Sequence, residues 1–160
     1  MKIYNILLSL LFFFFSGCSS IVNYAPNSYI PRDGEIAVLP FQNNTDTPLA
    51  GQRVRNILAN ILYIKGFKVK TISLENEDYI NQKKAYEISK KLRTKYFIFG
   101  SVNEWRYKTG IEAMPTVALE FRVFRREDKR VVYVASGAKN GGGGDSLGSL
   151  TQRLILELIR

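Results

Sequence analysis

Three groups of residues could do chemistry. Residues 141–144 are four consecutive glycines, a run of backbone amides of the kind that cradles phosphate. The tetrapeptide Gly144-Asp-Ser-Leu147 presents Ser146 as a hydrolase-type nucleophile beside Asp145. Glu104, Glu112 and Glu120 place carboxylates through one region, as the acid and base of glycoside cleavage would be placed. Each group meets an obstacle in the same sequence. The chain contains no histidine, so Ser146 has no imidazole to take its proton, and the adjacent Asp145 cannot hold a base on its Oγ. A phosphate-binding P-loop needs Lys-Ser/Thr after its last glycine; here Asp145-Ser146 follows, and GxGxxG spacing would need glycine where Ser146 stands. Carboxylates at this density are ordinary surface groups. With no histidine and one cysteine, His-ligated metal chemistry is excluded within the chain. The expectation is a protein with no catalytic activity and no cofactor, in which residues 140–148 form a flexible loop before a helix.

The sole cysteine has a different context. Lys2 gives a positive start, residues 6–15 (ILLSLLFFFF) form a short apolar stretch, and Ser16-Gly17 precede Cys18. Ten or so apolar residues are too few to span a bilayer, which needs about 20 in a helix, and suit a secretory signal. A cysteine after two small residues at the end of such a stretch resembles the bacterial lipobox. The resemblance implies cleavage before Cys18, diacylglycerol on its sulfur and, with Ser19 following, sorting to the outer membrane. Residues 1–17 are then a lipoprotein signal peptide. Residues 18–34, polar and containing Pro26, Pro31 and Gly34, read as a lipidated tether, with residues 35–160 as the folded domain. Lys and Arg number 23 against 14 Asp and Glu, a formal charge of +9. That suits an anionic lipid surface or an acidic polymer. Nucleic acid is not expected for a lipid-tethered exported protein without an aromatic-interleaved basic stripe.

The elements follow from periodicity. Residues 35–41 (EIAVLPF) read as a buried strand. Thr47 is placed to cap a helix with Pro48 at its first position, and Val54, Ile57, Leu58, Ile61 and Leu62 recur at helical spacing up to Lys65, with Gly66 as C-cap. Residues 67–72 alternate as a second strand. A helix from about Asp78 carries Ala85, Ile88 and Leu92 inward. Residues 95–105 form a third strand. In residues 116–126 Val117, Leu119, Phe121 and Val123 share one face and Glu120 and Arg122 the other; residues 127–129 turn, and residues 130–137 return. Asp145 or Ser146 caps a last helix with Leu147, Leu150, Leu154, Ile155 and Leu158 inward. The order β-α-β-α-β-β-β-α predicts a single α/β domain, one mixed β-sheet flanked by helices. Within residues 100–110 (GSVNEWRYKTG) the only tryptophan admits two readings. Trp105 is half-buried at a strand end with a partner for its indole N–H, or Trp105, Arg106 and Tyr107 form a subunit interface, where these residue types concentrate.

Residues 38–54 (VLPFQNNTDTPLAGQRV), 99–119 (FGSVNEWRYKTGIEAMPTVAL) and 136–159 (SGAKNGGGGDSLGSLTQRLILELI), together with the lipobox, resemble the PelC family of outer-membrane lipoproteins from Pel exopolysaccharide export. They cover most of the mature chain, in the same order. The βα arrangement also looks like other small periplasmic lipoproteins with TolB-like amino-terminal folds, which leaves another periplasmic assembly or binding lipoprotein as the alternative function. The family resemblance implies a homo-oligomeric ring, dodecameric in the family, beneath the outer-membrane β-barrel protein PelB. The ring would funnel a cationic exopolysaccharide past an acidic position, here Glu112. It further implies that Lys139, Asn140, Gly141, Gly142, Gly143 and Gly144 form a loop facing outer-membrane lipid. At about Gly142 the family carries a tryptophan suited to the bilayer interface; this chain has glycine.

Overall fold

The computed structural model of the chain describes residues 20–25, 28–75, 80–108 and 113–159. Along the chain these form β1 (Ser20–Tyr24), β2 (Ile36–Val38), β3 (Gln42–Asn43), α1 (Ala50–Ile64), β4 (Val69–Thr71), α2 (Gln82–Lys90), β5 (Tyr96–Tyr107), β6 (Pro115–Arg125), β7 (Val131–Asn140) and α3 (Leu147–Leu158). The strands make one seven-stranded mixed sheet in the order β1-β7-β6-β5-β2-β4, with β3 beside β5. β2 lies parallel to β4 and β5, as strands joined through α1 and α2 must, and the β5-β6-β7 meander is antiparallel. The expected single α/β domain with a mixed sheet is the observed fold.

Two layers of packing hold it. α1 and α3 cover one sheet face. Val54, Leu58, Leu62, Leu150, Leu154 and Leu158 meet Ile98, Val102, Val117, Leu119, Phe121 and Tyr133 in the main core. The inward positions of β6 are the alternating Val117, Leu119, Phe121 and Val123 that the sequence predicts. Tyr133 donates its hydroxyl proton to the Leu158 carbonyl, 2.5 Å away, which ties the end of α3 to β7. On the opposite face α2 covers only part of the sheet, where Ala85 and Tyr86 meet Phe97, Phe99 and Phe124. Phe97 stacks on Phe124 at 4.8 Å, and Tyr86 stands edge-on to both.

Several local expectations change. Thr47 does not cap α1. Its hydroxyl donates to the Trp105 carbonyl at 2.8 Å, and the helix starts at Ala50 after Leu49, which sits in the left-handed region at φ 61°. The start is displaced because Gly51 packs directly on the Phe41 carbonyl, where a Cβ would approach to 2.0 Å. The other end is as expected: Gly66 at φ 82° closes α1, with its N–H on Tyr63 O and the Phe67 N–H on Leu62 O, the paired bonds of a Schellman motif. α2 begins at Gln82, later than Asp78, because the Asn81 side chain accepts from the Lys84 N–H. The segment read as a tether is different in kind. Residues 20–24 are an edge strand on β7, so the sheet extends to residues that the sequence reading left outside the domain.

Candidate functional site

Three connections meet at one end of the sheet. Ser20 pairs with Lys139, Thr116 with Asn140, and Tyr107 with Pro115. The start of β1, the β5–β6 connection and the β7–α3 connection therefore form one rim. Cys18, two residues before Ser20, and Glu112, in the β5–β6 connection, lie outside the described residues.

The glycine loop is fastened at both ends. The Gly141 N–H donates to Pro115 O at 2.8 Å, and Gly141 is buried where a Cβ would meet the Pro115 ring at 2.7 Å. Asp145 closes the rest. Its N–H donates to Gly142 O at 3.0 Å, and one carboxylate oxygen accepts from the Gly142 N–H at 2.8 Å. Its other oxygen pairs with Arg153 on α3. The Gly142 amide, and then Arg153, hold the Asp145 carboxyl below the usual carboxylate range. Ser146 starts the helix: its Oγ accepts from the Ser149 N–H at 3.1 Å, and Ser149 Oγ accepts from the Ser146 N–H at 3.1 Å. The esterase-like tetrapeptide is thus a helix entry. The loop is a short closed turn, tighter than the flexible loop the glycines suggest. Around Gly142, Gly143 and Gly144 a Cβ would find nothing within 4 Å, so these three face open space at the rim.

Lys139, expected as a basic contact at this loop, is turned inward. Its ammonium pairs with Glu157 of α3, and its side chain is mostly covered. Asn140 accepts at Oδ1 from the Thr116 hydroxyl at 3.0 Å, holding β6 and β7 together at the rim. The partners Arg153 and Glu157 were not singled out in the sequence. Their i,i+4 spacing on the outer side of α3 was the available signal.

Trp105 departs from the half-buried, hydrogen-bonded reading made of it. Its side chain is 2% exposed in the main core, and its indole Nε1 is buried without a hydrogen-bond partner among the described residues. Arg106 and Tyr107 are exposed, and Arg106 pairs with Glu104 at 2.9 Å. The strand carries an exposed edge here. β3 accompanies β5 only as far as Val102, whose carbonyl accepts from the Asn44 N–H at 2.9 Å, and among the described residues no strand flanks residues 104–107 on that side. The sheet face left uncovered by α2 continues this surface: Ser101 and Glu104 on β5, Ala118 and Glu120 on β6, and Ser136 and Ala138 on β7 alternate onto it. Glu104 is committed to Arg106 and Glu120 faces the Ser101 hydroxyl at 3.4 Å. Among the described residues no three carboxylate, thiol or imidazole groups converge as a metal site would require. The arrangement offers shape, hydrogen bonds and charge for contact.

The chain matches no protein-family model and no curated protein sequence. Solved structures are similar to it. The PelC dodecamer from Paraburkholderia phytofirmans superposes with a TM-score of 0.74 at 29% identity, covering 88% of this chain and 95% of that one. A variant of the same dodecamer in another space group gives 0.73 at 29% identity. The lipoprotein GNA1162 from Neisseria meningitidis gives 0.56 at 16% identity over 76% of this chain, a likeness of fold alone.

Proposed function

We propose that this PelC-like chain is the subunit of a lipid-anchored homo-oligomeric ring, dodecameric like the structures it resembles, on the periplasmic face of the outer membrane. The ring carries no catalytic step. It guides an exopolysaccharide toward an outer-membrane β-barrel of the PelB type. The observation that carries this reading is the likeness to a dodecamer over nearly the whole domain. The Ser20–Lys139 register supports the orientation. A diacylglycerol on Cys18, two residues upstream, would lie within about 7 Å of Ser20 at full extension. It would hold the glycine rim against lipid. Multiple acyl chains make such anchoring stable where one chain would be marginal. The small, unbranched surface of Gly142–Gly144 would then meet headgroups without the bulky indole of the family. Subunits would meet through the uncovered face of β5, β6 and β7 and the exposed edge near Arg106 and Tyr107. The resemblance further implies a cationic polymer passing Glu112. The test is export. In cells that make the polymer, Cys18→Ser should release the chain from the outer membrane and leave polymer inside the periplasm, with synthesis unchanged. Undiminished surface polymer from correctly expressed Cys18→Ser would overturn the reading.

A further inference from the structure

The outward side of α1 lacks the charge of a helix that faces water. Its exposed residues are Arg53, Asn56, Asn60, Tyr63 and Ile64, with Ile57 half-buried among them. Arg53 is the one charge in that set, and none of the fifteen residues of α1 is acidic. Ile64 and Tyr63, at 79% and 73%, are the two most exposed large apolar side chains among the described residues. α2 gives the comparison within the same chain. It turns Lys83, Lys84, Glu87 and Lys90 outward, the ordinary pattern of a surface helix. α3 lies in the same layer as α1 and continues its character. The exposed ionic residues Arg153 and Glu157 are engaged by Asp145 and Lys139, and Leu156 is left exposed beside them. Few charges around exposed aromatic and aliphatic groups is the composition of an interface centre.

We infer that the outward face of α1 is the second half of the subunit contact, and that it docks on the uncovered β5–β7 face of a neighbouring copy. The inference rests on the homo-oligomer reading above and goes beyond it by naming which surface meets which. Symmetry requires two surfaces. A patch that meets its own copy closes a dimer, whereas a closed ring of more than two identical chains needs two different patches. The solved structure that this chain resembles over 88% of its length is a dodecamer. α1 and the uncovered face lie on opposite sides of the sheet, as head-to-tail contact demands. Docking them gives the sheet a helical layer on its second face, where α2 covers only part. Charge agrees. Arg53 has no ion-pair partner among the described residues. On the sheet face Glu104 is held by Arg106, while Glu120 has only the Ser101 hydroxyl, at 3.4 Å. The helix face therefore brings one unpaired cation to a face with one unpaired carboxylate.

The test measures the mass of the full-length chain in mild detergent for the parent and two variants. One changes the helix face, Tyr63→Glu with Ile64→Lys. The other changes the sheet face, Ala118→Arg. Each alone should be monomeric, with the urea midpoint of the single chain unchanged for the exposed α1 pair. Mixed in equal amounts, the two variants should form a one-to-one dimer and nothing larger, because each keeps the surface that the other has lost. A control, Lys83→Glu on the charged side of α2, should assemble as the parent does. A helix-face variant that still forms the parent's assembly would overturn the inference. So would a mixture that stays monomeric, or a control that loses assembly as the α1 variant does. The two ideas fail differently: a monomeric parent counts against the ring, whereas a parent ring that survives the α1 changes leaves the ring standing and removes this contact from it.

Discussion

Ser20 on β1 stands opposite Lys139 on β7, with Tyr24 opposite Ala135. The amino-terminal segment is therefore laid along the sheet from the glycine rim inward. Whatever pulls on the chain upstream of Ser20 pulls on the rim. The pairing depends on Gly137, which faces Val22 across the ladder and gives β1 and α3 their close approach: a Cβ there would lie 2.8 Å from Leu154 Cδ1 and 2.9 Å from Ile21 O.

Gly137→Val should consequently expel β1. The expected cost is about 1–3 kcal/mol of strain and lost pairing. Limited proteolysis should then cut near residues 20–24 while α1 and α3 stay protected. A variant as resistant there as the parent would show that β1 does not depend on this gap.

Gly51→Ala tests the seat of α1. On an open helix surface the change would add about 1 kcal/mol of stability. Here the new methyl would sit 2.0 Å from the Phe41 carbonyl oxygen, so the helix must shift. A loss of about 3 kcal/mol is expected, read as a fall in urea midpoint at unchanged slope. The sign of the change decides between the two.

Asp145 makes the rim turn sensitive to acid. Its carboxyl titrates lower in the folded chain than in the unfolded one, through Gly142 and then Arg153. The contribution is complete above the ordinary Asp pKa of about 4 and is lost as pH falls through the depressed folded value. Exchange of the Gly142 amide, corrected for its intrinsic rate, should quicken over that acid range, and in Asp145→Ala should be fast already at pH 7. Slow exchange in Asp145→Ala would assign the loop's order to something else.

Legibility in the sequence followed the range of the forces involved. α1, α3 and β6 announce themselves because their burial is periodic within a few residues, as with Val117, Leu119, Phe121 and Val123. The Gly66 cap and the Ser146 cap are local backbone chemistry and were equally visible. β1 was not. Ser20–Tyr24 has no apolar alternation of its own, and its partner is more than a hundred residues away in β7. The depth of Trp105 was hidden for the same reason: the reading of a half-buried strand end lacked the register that turns the side chain into the core. Lys139 looked like a free cation until α3 placed Glu157 beside it.

Self-assembly is where the account stands most exposed. Native mass spectrometry of the full-length chain, extracted in mild detergent, reads it directly. A single closed assembly near twelve copies, stable on dilution, is what the account predicts. A chain that remained monomeric at every concentration would contradict it.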